Sequence, residues 1–389
     1  MTKILSIESS ADETSIAVTN FSGERNFAVL SHNTASQVEL HNLYGGIYPA
    51  MARREHQKNI IPLLFKSLEE SELLTARPKA APLDAKIRKK VEVLLDRDAE
   101  IAEKIILLAE QYKAPNIAAV AVTYGPGLEI ALWTGFNTAR ALAVIWNCDL
   151  IPTNHMEGHL YAALVAPHHT QYTIQNIQYP SLGLLISGGH TELVLMRDEH
   201  KYKIIGQTLD DAVGEAYDKS ARLLGLPYPG GILISQQAEL ARQTGGNKGN
   251  VDLPRPMLYT KDYNFSFSGL KTAVRTVVQK QTRISKQFRQ QLCLELEESI
   301  ADVLVKKTAR AMDQYGIKQL VIGGGVSANT NLRREFTQLC TEKNIDLHLP
   351  DRSLSGDNAL MINLAGYRRW KQNNYPKRVT RVKGNLKIK

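Results

Sequence analysis

Two segments of the chain share one unusual pattern, which is an apolar run, a short polar turn and a second apolar run. Residues 4–19 read ILSIESSADETSIAVT and residues 182–196 read LGLLISGGHTELVLM. Apolar runs that flank Ser, Gly and acidic residues are typical of two strands joined by a tight turn, so each segment predicts a β-hairpin. The recurrence of the hairpin in each half of the chain indicates a duplicated α/β architecture, with two lobes and a cleft between them.

Strand-to-helix units follow each predicted hairpin. Residues 117–127, IAAVAVTYGPG, form an apolar run that ends in a Gly-Pro-Gly loop, and residues 128–146 have a helical pattern. Residues 320–329, LVIGGGVSAN, likewise predict a strand, three glycines and a helix that begins near Ser327. Strands that alternate with helices favour an α/β fold.

The expected domain organisation has three parts. They are an N-terminal lobe over residues 1–150, a C-terminal lobe over residues 151–360, and a C-terminal helix with a basic tail over residues 361–389. Residues 71–113 stand apart within the first lobe because they are rich in charged residues, with apolar residues at helical spacing. This pattern predicts a helical insertion that either forms a partner surface or packs its apolar face into the core.

The composition excludes several classes of protein. The chain has 389 residues, of which 43% are apolar and 22% are charged, and such a composition is typical of globular domains. Glu8 and Asp12 interrupt any apolar run at the start, and the most apolar stretch, residues 130–146, is too short to cross a membrane. Three widely spaced cysteines favour a reducing compartment. We therefore expect a cytoplasmic protein without membrane contact.

The formal net charge of +9 is concentrated at the C-terminus. No acidic residue follows Asp357. Nine basic residues do, namely Arg368, Arg369, Lys371, Lys377, Arg378, Arg381, Lys383, Lys387 and Lys389. A run of this kind can neutralise the phosphates of a nucleic acid. It is equally compatible with a solvated, disordered tail, and the tail alone leaves both interpretations open.

The segment His155-Met-Glu-Gly-His159 is a candidate metal site. Imidazoles four residues apart fall on one face of a helix, so both can reach one ion, but a third ligand is needed. Histidine pairs at this spacing are more often surface or core residues. The segment does not match the zinc-protease motif, which requires Glu directly after the first His, where this chain has Met156.

Three glycine clusters and two acidic segments are the other candidate ligand-binding or catalytic sites. Glycines 188–189, 230–231 and 323–325 would let backbone N–H groups approach a phosphate, although tight turns explain such clusters more often. Asp12-Glu13 stands in the first hairpin turn, where carboxylates are either solvated or able to accept a proton. Asp357 precedes an apolar helix, as either a helix N-cap or a carboxylate presented to a ligand.

Taken together, these segments resemble one family. In chain order they are IESSADET, YGGIYPAMARREH, YGPGLEIALWTG, NHMEGHL, LLISGGHTEL, LDDAVGEAYDK, YPGG, NFSFSGLKTA, GGGVSANTNLR and GDNALMI. Their order and number resemble the TsaD family, the tRNA adenosine threonylcarbamoyltransferases, over about residues 3–70 and 114–370. The resemblance implies an actin-like, two-lobed α/β ATPase fold, like that of sugar kinases, Hsp70 and actin.

The resemblance also implies a metal site and a nucleotide site. Fe²⁺, or alternatively Zn²⁺, would be held by His155, His159 and Asp357. The substrate would be threonylcarbamoyl-AMP, lying across the cleft. Its acyl-phosphate end would be lined by Leu185, Ile186, Ser187, Gly188 and Gly189. Its nucleotide part would be held by Asp218, Gly231 and Asn329.

The implied reaction moves the threonylcarbamoyl group to N6 of adenosine 37 in tRNAs that read codons beginning with A, and releases AMP. Threonylcarbamoyl-AMP is a mixed anhydride and already activated, so positioning supplies much of the rate and no protein nucleophile is needed. Glu13, with Asp12, is the hypothesised catalytic pair, as a proton acceptor or as the group that orients a metal-bound water. The expected partners are tRNA and TsaB-like and TsaE-like proteins, with a homodimer as a further option.

Three other functions compete with this one. A small-molecule kinase of the same fold would need no metal-binding histidine pair, which this chain has. A TsaB-like scaffold would lack both the HMEGH segment and the metal aspartate. A metalloprotease would need the HExxH motif that the chain lacks. The residues therefore favour the transferase.

Overall fold

The computed structural model describes residues 1–168, 171–245 and 251–389, and these residues form two compact units. Unit 1 contains Met1–Gln37, Ile47–Gln175 and Asp357–Ile388. Unit 2 contains Val38–Gly46, Asn176–Gly356 and Lys389. This division differs from the boundaries at 150 and 360 that the sequence led us to expect.

The described residues contain twelve β-strands and twelve α-helices. The strands are β1 (Thr2–Glu8), β2 (Glu13–Ser22), β3 (Asn26–Ser36), β4 (Ala119–Gly125), β5 (Asp149–Asn154), β6 (Val165–His168), β7 (Gln171–Ile174), β8 (Ser181–Ile186), β9 (Thr191–Asp198), β10 (Lys201–Gln207), β11 (Gln319–Gly323) and β12 (Asp346–His348). The helices are α1 (Val38–Asn42), α2 (Pro49–Glu70), α3 (Ala85–Leu94), α4 (Ala99–Gln111), α5 (Glu129–Trp146), α6 (His155–Ala163), α7 (Val213–Leu223), α8 (Gly230–Gln243), α9 (Ser268–Gln279), α10 (Lys286–Tyr315), α11 (Thr330–Lys343) and α12 (Ala359–Lys371).

The strands of unit 1 form one mixed sheet in the order β5-β4-β1-β2-β3-β7-β6. β1 pairs antiparallel with β2 and parallel with β4, and β4 pairs parallel with β5. Residues just beyond 150 belong to unit 1 because β5 extends this sheet. α12 also returns to the sheet, where Asn363 Nδ2 donates to Ile4 O at 2.9 Å and the Ser6 hydroxyl donates to Ala359 O at 2.7 Å.

The central strand β1 is buried on both faces, as the alternation of strand side chains allows. Ser6 faces α12, whereas Leu5 and Ile7 belong to an apolar core with Leu64 of α2 and Phe136 of α5. Helices on both faces hold the carboxyl end of β1 in place, and the turn that follows carries the acidic residues of interest.

The sheet of unit 2 repeats the central topology of unit 1. Its order is β10-β9-β8-β11-β12, with β8 antiparallel to β9 and parallel to β11. The order β3-β2-β1-β4-β5 in unit 1 has the same pairing directions. The hairpins predicted at residues 4–19 and 182–196 are β1–β2 and β8–β9, so both are confirmed, together with the duplicated α/β architecture.

α10 is the longest helix of unit 2. Ser285 caps its start, since the hydroxyl accepts from Phe288 N–H at 3.1 Å, and Gly316 ends it with a left-handed φ of 61°. Its apolar residues pack with β8 and β11 in the core of the unit. Among the helices that the structure describes, none combines the length and the apolarity needed to cross a bilayer.

The predicted helical insertion, residues 71–113, contains α3 and α4. Val91, Ile101 and Ile105 belong to the same apolar core as β1, whereas Leu107 is exposed. Core packing therefore explains most of the helical periodicity, and the prediction of helices in this segment is confirmed.

Candidate functional site

Two imidazoles lie one helical turn apart at the start of α6. The helix begins where β5 ends, because Asn154 Oδ1 accepts from Met156 N–H at 2.9 Å and from Glu157 N–H at 3.2 Å. His155 and His159 then project from one face, with ring centroids 4.7 Å apart, and both are buried. The helix predicted for this motif is confirmed.

Asp357 joins the two histidines from the segment before α12. Asp357 Oδ1 lies 3.3 Å from His155 Nε2 and 3.2 Å from His159 Nε2. Asn358 caps α12, since Asn358 Oδ1 accepts from Met361 N–H at 3.0 Å. The N-cap interpretation of Asp357 is therefore wrong, and its carboxylate is available as a ligand.

The donor set of these three residues fits a divalent metal ion. Their ligand atoms lie within 4.8 Å of one another, which is compatible with metal–nitrogen and metal–oxygen distances of about 2.0–2.2 Å. Among the described residues, Nδ1 of the fully buried His159 has no hydrogen-bond partner, and the one group that Nε2 contacts is the Asp357 carboxylate, at 3.2 Å. Buried polar atoms are nearly always satisfied, and an ion at Nε2 would satisfy that atom.

Glu8 supports the site from the end of β1, and sequence reasoning missed it. Its fully buried carboxylate lies 3.2 Å from His155 Nδ1, and it accepts from Ser10 N–H at 2.5 Å and from the Thr123 hydroxyl. A carboxylate on the far nitrogen of a ligand histidine fixes its tautomer and orientation. The signal that could have revealed Glu8 is a charged residue at the end of a strand that is otherwise apolar.

The electrostatics of the site couple the acidic and imidazole groups. Burial alone would lower the pKa of His155, but Asp357 and Glu8 outweigh it and hold that pKa well above the ordinary value. Burial alone would raise the pKa of Asp357, but the two imidazoles hold it well below. Burial dominates at His159 and lowers its pKa, which favours the neutral form that binds metals.

Glu13 begins β2 and faces the same group of charges. Burial, followed by Asp12, Asp357 and Glu8, raises the pKa of Glu13 to about 10. Carboxylates crowded in this way favour a compensating cation, which would return Glu13 to its ionised form. The structure thus brings the predicted Asp12-Glu13 pair close to Asp357, and its catalytic role stays a prediction.

His56 of α2 holds the acidic turn, and sequence reasoning missed this residue as well. Its fully buried ring has Nε2 3.0 Å from Ala11 O and Nδ1 2.7 Å from Thr14 Oγ1. A carbonyl can only accept, so Nε2 carries the proton and Nδ1 accepts from the threonine hydroxyl. One imidazole therefore contacts the residues on both sides of Asp12-Glu13, the backbone carbonyl of Ala11 and the side-chain hydroxyl of Thr14.

The predicted acyl-phosphate residues lie at the end of β8 in unit 2. Leu185 and Ile186 are buried in the strand, and Ser187 starts the turn, with its N–H donating to His190 O at 2.9 Å. A Cβ placed on Gly188 or Gly189 would meet no atom within 4 Å. Both glycines are exposed, and neighbouring atoms thus leave room for side chains at both. Their contact with substrate stays a prediction.

Asp218, Gly231 and Asn329 are the predicted nucleotide residues of unit 2. Asp218 Oδ1 accepts from Gly230 N–H at 2.7 Å and so joins α7 to the start of α8, where Gly231 lies. Asn329 caps α11 by accepting from Leu332 N–H at 2.9 Å, and its Nδ2 donates to Glu297 at 2.7 Å. Asn329 therefore has a structural role, and substrate contact by the three residues stays a prediction.

Comparison with known proteins identifies the relatives of this chain. The TsaD family model, described as tRNA N6-adenosine threonylcarbamoyltransferase, matches residues 28–77 and 100–364. The chain is 40% identical over 372 residues to the protein of that name from Chromobacterium violaceum, covering 95% of this chain and 93% of that protein. The chain is 39% identical over 364 residues to the Trichlorobacter lovleyi protein of the same name, covering 93% and 90%.

The chain belongs to the TsaD family. The family predicted from the sequence segments is thereby confirmed, and with it the class of enzyme, a transferase that has tRNA as its substrate. The TsaD match includes His155, His159 and Asp357 and omits residues 1–27, 78–99 and 365–389. The acidic turn with Asp12 and Glu13, helix α3 and the basic tail therefore all lie outside the matched ranges.

The chain also resembles a solved structure. Full-length HypF in its phosphate- and nucleotide-bound form superposes with a TM-score of 0.53 at 10% identity, covering 96% of this chain and 47% of HypF. At that identity the likeness shows the fold alone. Together with the repeated topology, it confirms the predicted actin-like α/β fold.

Proposed function

We propose that this member of the TsaD family transfers the threonylcarbamoyl group of threonylcarbamoyl-AMP to N6 of adenosine 37 in tRNA, with one Fe²⁺ ion bound in unit 1 and the adenylate bound in unit 2. The observation that carries the proposal is the group of two buried histidines, His155 and His159, with the half-buried Asp357, whose ligand atoms all lie within 4.8 Å of one another.

His155, His159 and Asp357 would hold the ion. Two histidines and one carboxylate with open positions are typical of Fe²⁺, although Zn²⁺ uses the same ligands. A bound ion would supply polarisation of a substrate oxygen. Glu8 keeps the Nδ1 of His155 occupied at 3.2 Å, so that Nε2 is directed toward Asp357.

The acidic turn, with Asp12 and Glu13, would accept the proton that the reaction releases. The N6 amine attacks the carbamoyl carbon, the bond from that carbon to the phosphate oxygen breaks, and AMP leaves with the electron pair. N6 must lose one proton, and Glu13 is the acceptor in this proposal, with Asp12 beside it. Only an ionised Glu13 can accept, which requires the positive charge that the triad is suited to hold.

The glycine turn of unit 2 would hold the phosphate end of the adenylate. Gly214, near the start of α7, packs against this turn so closely that a Cβ on it would lie 2.8 Å from Ser187 O. The N-terminus of α7 is thereby brought to the turn, and helix N-termini favour anions. Asp218, Gly231 and Asn329 would hold the nucleotide part, from the starts of α8 and α11 that Asp218 and Asn329 fix.

Protein partners and location complete the proposal. TsaB-like and TsaE-like proteins are proposed as partners because the chain is so similar to bacterial TsaD proteins. A homodimer is the alternative assembly. A cytoplasmic location is proposed because tRNA is the substrate and Cys148, Cys293 and Cys340 are all free thiols.

The test is a transfer assay with purified protein, threonylcarbamoyl-AMP and unmodified tRNA, followed by mass spectrometry of the tRNA nucleosides. Reactions run with and without the TsaB-like and TsaE-like proteins of the same organism. We expect threonylcarbamoyladenosine from the wild type and none from His155→Ala, whereas His32→Gln, which alters a histidine of β3, retains activity. Absence of product under every condition would overturn the proposal.

A further inference from the structure

The chain after α12 docks on unit 1 and does not leave it as a free tail. We call residues 378–388 the C-terminal strap. Val382 and Ile388 are each only 3% exposed, and Val382 belongs to the apolar core of unit 1, with Val379 packed against that core. A wholly solvated tail, one of the two interpretations of the sequence, is therefore wrong for this segment.

Backbone hydrogen bonds fix the strap on the loop that follows β4. Lys383 N–H donates to Tyr124 O at 2.8 Å, and Gly127 N–H donates to Gly384 O at 3.0 Å. A Cβ on Gly125 would lie 2.0 Å from Lys383 O, so this loop admits the strap only because it has glycine there. The strap and the loop that follows β4 thus form a packed, hydrogen-bonded interface within unit 1.

The anchored strap turns basic side chains outward. Arg378, Arg381 and Lys383 are exposed, and they alternate with the anchoring residues Val379 and Val382. The chain therefore holds a row of cations at fixed positions, which a disordered tail would not do.

We infer that the cationic face of the C-terminal strap binds the phosphate backbone of the tRNA substrate. The inference rests on the proposed function, since that function supplies the polyanion. No acidic residue occurs after residue 357, so the strap has no negative charge of its own to neutralise its cations. Each cation that neutralises a phosphate releases counterions, and this release supplies the affinity.

The dimensions and the rigidity of the strap suit this partner. The five residue steps from Arg378 to Lys383 span at most about 18 Å, and one nucleic-acid strand advances about 3.4 Å per phosphate along its axis. Three cations thus have several phosphates within reach. Because Val382 and the backbone bonds already order the strap, binding costs less conformational entropy than the ordering of a free tail would.

The experiment measures binding of unmodified tRNA to the full-length protein without threonylcarbamoyl-AMP, at several salt concentrations between about 50 and 200 mM. The test variant is R378Q/R381Q/K383Q, which leaves the backbone bonds of Lys383 available. The matched control is K271Q/R275Q/K280Q, which removes the same charge from exposed positions in and just after α9 of unit 2. Thermal unfolding checks that both variants fold, and the three single strap substitutions are measured as well.

We expect the strap variant to bind tRNA at least about tenfold more weakly near 0.1 M salt, with the slope of log K against log salt smaller by about three. Each single substitution should lower the slope by about one. If the strap and control variants lose tRNA affinity equally, the loss reflects net charge and not the position of the strap, and the inference is overturned. Unchanged tRNA binding would also overturn it, as would a loss confined to binding of the TsaB-like protein.

The binding measurement separates this inference from the proposed function. A wild type that binds tRNA through the strap but yields no threonylcarbamoyladenosine would contradict the transfer proposal alone. If the wild type yields product and R378Q/R381Q/K383Q binds tRNA as tightly as the wild type does, only the inference that the strap binds tRNA is contradicted.

Discussion

Glu8 Oε2 lies 3.2 Å from His155 Nδ1, although the two residues are 147 positions apart in the chain. The contact leaves Nε2 of His155 directed at Asp357, which is 3.3 Å away. The geometry of the candidate metal site is thus set by a residue that is not itself a ligand, and this relationship gives the first prediction.

Replacement of Glu8 by Gln should weaken metal binding by about 10- to 100-fold, because an amide holds the ligand histidine less firmly than a carboxylate does. The affinity is measured by titration of metal-free protein with Fe²⁺ under reducing conditions. Glu24→Gln, at an exposed position of the β2–β3 turn, is the control and should bind as the wild type does. Equal affinity of Glu8→Gln and wild type would refute the supporting role.

Replacement of Glu13 by Gln should stabilise the metal-free protein at pH 8. Burial and the neighbouring carboxylates raise the pKa of Glu13 to about 10 in the folded state, above its ordinary value near 4.5. The folded protein therefore holds this proton more tightly than the unfolded chain, and stability falls as pH rises from about 4.5 toward 10. A neutral amide removes that loss.

Urea unfolding with a chelator present at pH 5 and pH 8 measures this effect. At about 1.4 kcal/mol per pH unit, the interval from 4.5 to pH 8 sets an upper bound of about 5 kcal/mol on the gain for Glu13→Gln, and the gain at pH 5 should be below about 1 kcal/mol. The gain should shrink when Fe²⁺ is supplied, since the ion compensates the same charges. A gain that does not change with pH would show that the charge cluster is not its cause.

Replacement of His56 by Leu should lower the rate of transfer by at least about tenfold while one metal ion per chain is retained. The imidazole bridges Ala11 O and the Thr14 hydroxyl, and both partners lose a hydrogen bond when it is removed. Metal content and single-turnover transfer are measured on the same preparation. Loss of metal together with activity would instead assign His56 to the stability of the metal site.

Replacement of Gly188 by Ala should weaken AMP binding without loss of stability, because a Cβ there meets no protein atom within 4 Å. Replacement of Gly324 by Ala should unfold the protein more readily, since Gly324 has a φ of 95° and its Cβ would lie 2.4 Å from Ile186 O. Calorimetric AMP binding and thermal unfolding distinguish the two. Normal AMP affinity in Gly188→Ala would place the phosphate elsewhere.

Much of this fold follows from local pattern. The β1–β2 and β8–β9 hairpins could be predicted because apolar runs and turn residues determine local structure over a few positions. The shared face of His155 and His159 could be predicted for the same reason, since helical geometry alone places residues four positions apart on one face. Features set by neighbours in sequence could therefore be predicted.

Other features depend on contacts between distant parts of the chain. Asp357 contacts histidines that lie about 200 positions earlier in the chain, and sequence spacing cannot predict a contact over that separation. Only the resemblance to the TsaD family suggested Asp357 as the third ligand. Glu8 looked like an interruption of an apolar run, and His56 was only the last residue of the segment YGGIYPAMARREH, with no role of its own. Unit 1 extends past the expected boundary at residue 150 because β5 pairs parallel with β4, and a parallel partner joins its sheet only after a crossover.

The most direct test of the account is a metal titration in which bound metal and transfer are followed together. Protein freed of metal by a chelator is titrated with Fe²⁺, and each sample receives threonylcarbamoyl-AMP and unmodified tRNA. We predict that transfer returns in proportion to bound metal, reaches its maximum at one ion per chain, and stays absent in His159→Ala at the same metal concentration. Full transfer by the metal-free protein, or stoichiometric metal binding and activity in His159→Ala, would contradict the account.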